Sequence, residues 1–107
     1  GIVEDNSNFY YIDKNKGMLT NSWKEIDSNT EYYFKKDGKA AKNEWENLYH
    51  FGTDGTPSKN KWIGFLHTNN DGRLSLSDYR NYPLSIVLLA IIIYISYKIK
   101  NKKHREY

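Results

Sequence analysis

Rings recur along this chain where a β-strand would face a core, and one late stretch is aliphatic on every side. Tyr10-Tyr11-Ile12, Tyr32-Tyr33-Phe34 and Tyr49-His50-Phe51 mark strands, because aromatic and β-branched side chains fit a pleated, half-buried surface. Polar segments rich in Asn, Asp, Gly and Lys separate them. Lys36-Asp37-Gly38 and Thr53-Asp54-Gly55 are hairpin-turn signals, since glycine takes positive φ at no steric cost. After Pro83 the pattern changes. LSIVLLAIIIYISY, from Leu84 to Tyr97, carries no charge and no amphipathic stripe. The first part predicts short β-hairpins and the second a helix.

The strand signals belong to a repeat. YYIDKNKGMLTNSW (10–23), YYFKKDGKAAKNEW (32–45) and YHFGTDGTPSKNKW (49–62) align without a gap. Each opens with a Tyr pair or Tyr-His, carries a glycine (Gly17, Gly38, Gly55) and closes on Trp at the same distance from its first Tyr. The units start at Tyr10, Tyr32 and Tyr49, so the second interval is the shorter. One hairpin is marginal alone, whereas stacked hairpins bury one another's rings. About three repeats suffice for such an array. The predicted fold is mainly β: a short β-solenoid of stacked β-hairpin repeats over residues 8–62, plus one C-terminal transmembrane α-helix over 83–99.

The repeats resemble the cell-wall-binding repeats of Gram-positive surface proteins: choline-binding modules, glucan-binding repeats and the repetitive regions of clostridial toxins. YYFKKDGKAAKNEW is the closest stretch, and the resemblance covers residues 8–62. It implies a wall polymer or glycan as ligand, held by Tyr10, Tyr11, Trp23, Tyr32, Tyr33, Trp45, Tyr49 and Trp62. Two departures bear on choline. Ser22, Glu44 and Lys61 stand where the family places glycine before the closing Trp. Phe9, Glu31 and Leu48 stand where choline-binding repeats commonly place a Trp. A box for a trimethylammonium group would have to come from Trp23, Tyr32 and Trp45 by cation–π attraction. An unspecified wall polymer or glycan is therefore favoured over choline. For any single ring, core packing is the competing role.

Aliphatic residues are scarce before Pro83, so the rings must supply the core. The chain lacks cysteine, which removes disulfides and thiolate chemistry. Its net charge of +3 is unevenly spread. Residues 1–82 hold 11 basic and 12 acidic side chains, while residues 98–107 hold five basic and one acidic. The excess is a tail and not a patch on the array, so nucleic acid is not an expected partner.

Residues 63–82 read as a linker or stalk. Within it HTNNDGRLSLSD, residues 67–78, resembles a degenerate calcium loop of the EF-hand or dockerin kind. Asn69, Asp71, Ser75 and Asp78 fall at ligand positions and Gly72 at the turn, but His67 stands where an Asp is needed. Only weak Ca²⁺ binding would follow, and no other cofactor is expected. The competing and favoured reading is an Asn-Asp-Gly turn before a helix capped by Ser77 or Asp78.

A bilayer-spanning helix wants about 20 apolar residues. Tyr79, Tyr82 and Tyr97 as interfacial belts, with Lys98 and Lys100 snorkelling, would extend the usable stretch to residues 82–99. The basic tail, residues 100–107, would then be cytoplasmic and residues 1–82 extracellular, by the positive-inside rule. This predicts a single-pass protein of the cell membrane with the lipid bilayer as a partner. The competing reading buries the segment between subunits of an assembly.

Catalysis is not expected. His50 occupies a packing position, and His67 and His104 have no neighbouring nucleophile in sequence. Two functions remain: a non-catalytic surface module that binds wall polymer or glycan, and a membrane-anchored scaffold whose partner is another protein.

Overall fold

A computed structural model describes residues 1–105, apart from the side chains of Asp78 and of residues 101–105. The strands among the described residues are short and form antiparallel hairpins in chain order. β1 (Ile2–Asp5) pairs with β2 (Asn8–Asp13), and β3 (Gly17–Met18) adds to β2. β4 (Ser22–Asp27) pairs with β5 (Thr30–Phe34), β6 (Glu44–Glu46) with β7 (Tyr49–Phe51), and β8 (Trp62–Ile63) with β9 (Leu66–His67). A 3-10 turn (Leu76–Tyr79) and a helix, α1 (Leu84–Arg105), complete the described chain.

The hairpins are out of phase with the expected ones. Each joins the Trp closing one sequence repeat to the ring opening the next: Trp23 faces Tyr33, Trp45 faces His50, and Trp62 faces His67. The reason lies in the turns. Asn47 and Leu48 alone link β6 to β7, both with positive φ (51° and 72°), which is the backbone a tight hairpin requires. The Asp-Gly segments are instead wider loops between hairpins. Each is closed by one isolated bridge: Phe34 with Ala40, and Phe51 with Pro57.

The same bridge recurs between Thr68 and Leu74, so the array does not end at Trp62. Phe34, Phe51 and Thr68 are evenly spaced along the chain. So are Gly38, Gly55 and Gly72, whose φ values are 88°, 87° and 86°. Residues 63–79, expected as a stalk, form a fourth unit in which Tyr79 closes the repeat in place of Trp. The glycines are required for closeness as well as for φ. A Cβ on Gly72 would lie 2.7 Å from Pro57 Cβ, and one on Gly38 would lie 2.6 Å from Met18 Sδ. Both loops thus sit directly on the unit before them.

The core is aromatic, as the scarcity of aliphatics demands. Phe34 and Phe51 are fully buried, with Tyr11 and Tyr33 of the preceding units 6.3 Å away between ring centroids. Thr68 holds the equivalent place in the fourth unit. Its hydroxyl donates to the Ser58 carbonyl and accepts from Lys61 N–H (3.1 Å), so the buried oxygen is satisfied.

The helix corrects the expected membrane anchor. No helix among the described residues is long and apolar enough to cross a membrane. The uncharged part of α1, Leu84 to Tyr97, covers about 21 Å at about 1.5 Å per residue, against a hydrocarbon core of about 30 Å. One face of α1 is already used. Ala90 and Tyr94 are buried with Trp45, Leu66 and Tyr79, and Val87 and Tyr97 pack alongside them. These positions recur at helical spacing, so α1 covers the end of the array as a continuous stripe. Tyr79 and Tyr82, expected as an interfacial belt, pack against Trp62.

Candidate aromatic binding site

Trp23 lies at the junction between two hairpins. β4 carries it, and the pairing of β4 with β5 sets Tyr33 beside it at 5.4 Å between centroids. The next hairpin brings Tyr49 edge-on at 4.9 Å and Phe51 at 5.4 Å. Tyr33 and Phe51 are buried, whereas Trp23 and Tyr49 are half-buried. The rings therefore form the floor of the core and also present faces to solvent. Such half-exposed rings can stack on a sugar or attract a cation.

A second cluster surrounds Trp62 on β8. The 3-10 turn delivers Tyr79 at 5.6 Å, and Tyr82 follows at 5.8 Å, both edge-on to the indole. His67 of the same hairpin lies 4.7 Å away. Trp62 is 49% exposed and Tyr82 46%, so this cluster presents more ring surface than the Trp23 junction.

The other ring residues singled out in the sequence go elsewhere. Trp45 is buried against His50 (5.0 Å) and Tyr94 of α1 (5.7 Å). Tyr32 packs on Phe9 (5.4 Å) and Tyr11 on Phe34. Tyr10 is half-buried on β2, where strand alternation points it away from Phe9 and Tyr11. Of the ring residues expected to hold ligand, the structure thus gathers Trp23, Tyr33 and Tyr49 at one junction. Phe51, expected only as a strand residue, and Tyr79 and Tyr82, expected as an interfacial belt, join the clusters without having been expected to hold ligand. The even spacing of Phe34 and Phe51 points to the latter, while Tyr79 and Tyr82 are legible only once residue 79 is aligned with Trp62.

The charged groups near these rings are held by local bonds. Asp54 accepts from the Thr56 hydroxyl (2.7 Å) and from its N–H (2.9 Å), which lowers the carboxyl below its usual range. The Tyr32 phenol is pushed up, by burial first and then by Asp54 and Asp27. His50 is pushed down by burial, with Lys61 adding to the effect, and its Nδ1 lies 2.8 Å from the Ser58 hydroxyl. Ser58 is itself buried, so this pair packs the interior.

The calcium-loop residues are engaged in the fourth turn. The Asn69 side-chain oxygen accepts from Asp71 N–H (2.8 Å) and Arg73 N–H (3.1 Å). Ser75 bonds Ser77 through their hydroxyls (3.0 Å). The Asp78 side chain lies outside the described residues. Among the described residues no group of three His, Asp or Glu side chains could hold a metal ion.

The fold has counterparts. The choline binding domain of Spr1274 from Streptococcus pneumoniae superposes with a TM-score of 0.59 at 23% identity, over 70% of this chain and 93% of that one. The modular autolysin LytC from the same organism gives 0.59 at 23% identity over 70% of this chain, but 19% of its own length. LytC in complex with a synthetic peptidoglycan ligand gives 0.58 at 23%, over 69% of this chain and 19% of that one. No family model matches the chain, and no curated protein does. The array has the fold of a choline-binding domain.

Proposed function

We propose that the array is a non-catalytic module that binds a cell-wall polymer or glycan at the cell surface. The observation that carries the reading is the Trp23 junction, where two consecutive hairpins place Trp23, Tyr33 and Tyr49 together at a half-exposed seam. The shared fold supports it, because one protein with that fold was solved with a synthetic peptidoglycan ligand. The exposed Trp62–Tyr82 cluster would be a second contact along the same array. Two weak sites on one rigid array reinforce each other, since the second contact forms at high effective concentration.

Pelleting of the full chain with isolated cell walls tests this reading. Walls stripped of teichoic acids, and competition by choline or dextran, identify the ligand class. Binding that survives stripping indicates peptidoglycan, loss to choline indicates an ammonium site, and loss to dextran indicates a glucan site. Trp62→Ala should weaken binding without unfolding the protein, because Trp62 is the more exposed anchor. Absence of binding by the folded chain would overturn the proposal.

A second reading is favoured by α1. Leu84, Leu88, Ile92, Ile95 and Ile99 expose an aliphatic face opposite the one that packs on Trp45. On that reading the array is a scaffold whose partner is a protein, and co-purification of a fixed partner without wall binding would favour it.

A further inference from the structure

The face of α1 turned away from the array carries a seam of its own. Leu84, Leu88, Ile92, Ile95 and Ile99 are each at least half-exposed, and from Leu88 onward they follow at steps of four, three and four residues. That is the 3.5-residue repeat by which one helix sets knobs into the holes of another. Exposed Ser85 and Ser96 border the stripe on one side and exposed Lys98 on the other. The opposite face is spent on the array, through Val87, Ala90, Tyr94 and Tyr97. With Leu89 and Ile93 at its margin, the outer face presents roughly 600 Å² of apolar surface, the upper end of what a monomer leaves in one patch. Two such faces together would bury roughly 1,200 Å², where specific protein interfaces begin.

We propose that α1 is the interface of a two-fold homodimer, in which this stripe packs on the same stripe of a second copy with the helices antiparallel. A uniformly aliphatic stripe is complementary to itself, and a two-fold axis brings the same patch of both copies together. Charge decides the direction. Lys98 and Lys100 end the stripe, and Lys102, Lys103 and Arg105 follow in sequence. Parallel helices would set the two basic ends side by side. Antiparallel helices centred on Ile92 separate the two Lys98 residues by about 18 Å along the axis, more than two Debye lengths of about 8 Å. Ile92 then meets its own copy, Leu88 meets Ile95, and Leu84 meets Ile99. Tyr94 and Tyr97, the tyrosines of α1, would suit a lipid interface but face the array instead. The dimer concerns a face remote from the Trp23 junction, and it stands whether or not the arrays bind wall polymer.

Sedimentation equilibrium on the full chain tests it. The wild type should be a dimer that dissociates on dilution. Ile92→Lys should be a monomer with unchanged far-UV circular dichroism, because Ile92 is 59% exposed and lies off the face that packs on Trp45. The chain has no cysteine, so single cysteines report the arrangement. Ile92→Cys should form a disulfide-linked dimer under copper-phenanthroline oxidation, whereas Leu84→Cys should do so only when mixed with Ile99→Cys. Leu84→Cys linking to itself as readily as Ile92→Cys would overturn the antiparallel pairing. A dimeric Ile92→Lys protein would overturn the assignment to this stripe. A wild type that stays monomeric would overturn the proposal outright, and its pelleting with phosphatidylglycerol vesicles would assign the face to a lipid surface instead.

Discussion

Trp45 and Tyr94 meet edge to face with ring centroids 5.7 Å apart, although one lies mid-chain and the other on the C-terminal helix. The Trp45 backbone N–H also donates to the Tyr97 hydroxyl at 3.3 Å. Through these two contacts α1 becomes part of the core of the β-array. At the Trp23 junction the ring contact comes from the following hairpin, which supplies Tyr49. At Trp45 a helical tyrosine takes that part, which relieves the last units of an uncovered apolar end.

Tyr94→Ala should therefore destabilise the whole array, and not merely loosen the helix. Deleting a large buried ring costs about 3–5 kcal/mol. Urea unfolding followed by Trp fluorescence would measure it. A loss below about 1 kcal/mol would mean that α1 does not cover Trp45 in solution.

The loop glycines separate two causes of strain. Gly64 (φ 61°) has open space around it, so Gly64→Ala should lose about 1 kcal/mol, from backbone conformation alone. Gly72→Ala meets Pro57 Cβ at 2.7 Å as well, and should lose clearly more. Thermal melts of the two variants side by side decide the matter. Equal losses would remove the close-approach argument.

Thr68→Val keeps the shape of a fully buried side chain and removes its hydroxyl. The Ser58 carbonyl loses its donor and Lys61 N–H an acceptor. The expected loss is about 1–3 kcal/mol, measured by denaturant midpoint, because buried polar groups are left unpaired. A neutral result would show that water replaces the hydroxyl there.

Stability should fall as pH drops below about 6.5, through His50. Burial lowers its folded pKa from the ordinary 6.5. Below 6.5 the unfolded chain takes up a proton that the folded chain refuses, so acid favours unfolding until the folded pKa is passed. The contribution is fully present above about pH 6.5 and is lost as pH falls through the folded pKa. In His50→Gln this slope should vanish between about pH 6.5 and 5, while the lowered carboxyls of Asp13 and Asp54 act only near and below about pH 4. An unchanged slope in the variant would assign it to another group.

The repeat itself was readable because it is periodic in residue type. Tyr-Tyr-Phe, Gly38 and Gly55, and the closing Trp residues identify a stacked β-array without coordinates. The fourth unit was not readable. It keeps the Asp-Gly loop and the spacing of the two units before it, but has Thr68 for Phe and Tyr79 for Trp. Its loop, taken alone, looks like a degenerate calcium site. The phase of the hairpins was also hidden, since an Asp-Gly pair signals a turn without saying whether that turn joins paired strands.

The sequence by itself determined the composition of the core and the existence of the array, because a chain short of aliphatics can bury little besides rings. Tertiary structure alone decided which rings meet, that Lys42 rests on Phe9, and that the apolar C-terminal segment packs on Trp45. Periodicity reports which residues must leave water. It does not report which surface receives them, and for LSIVLLAIIIYISY that surface comes from Trp45, Leu66 and Tyr79, distributed over the units that precede it.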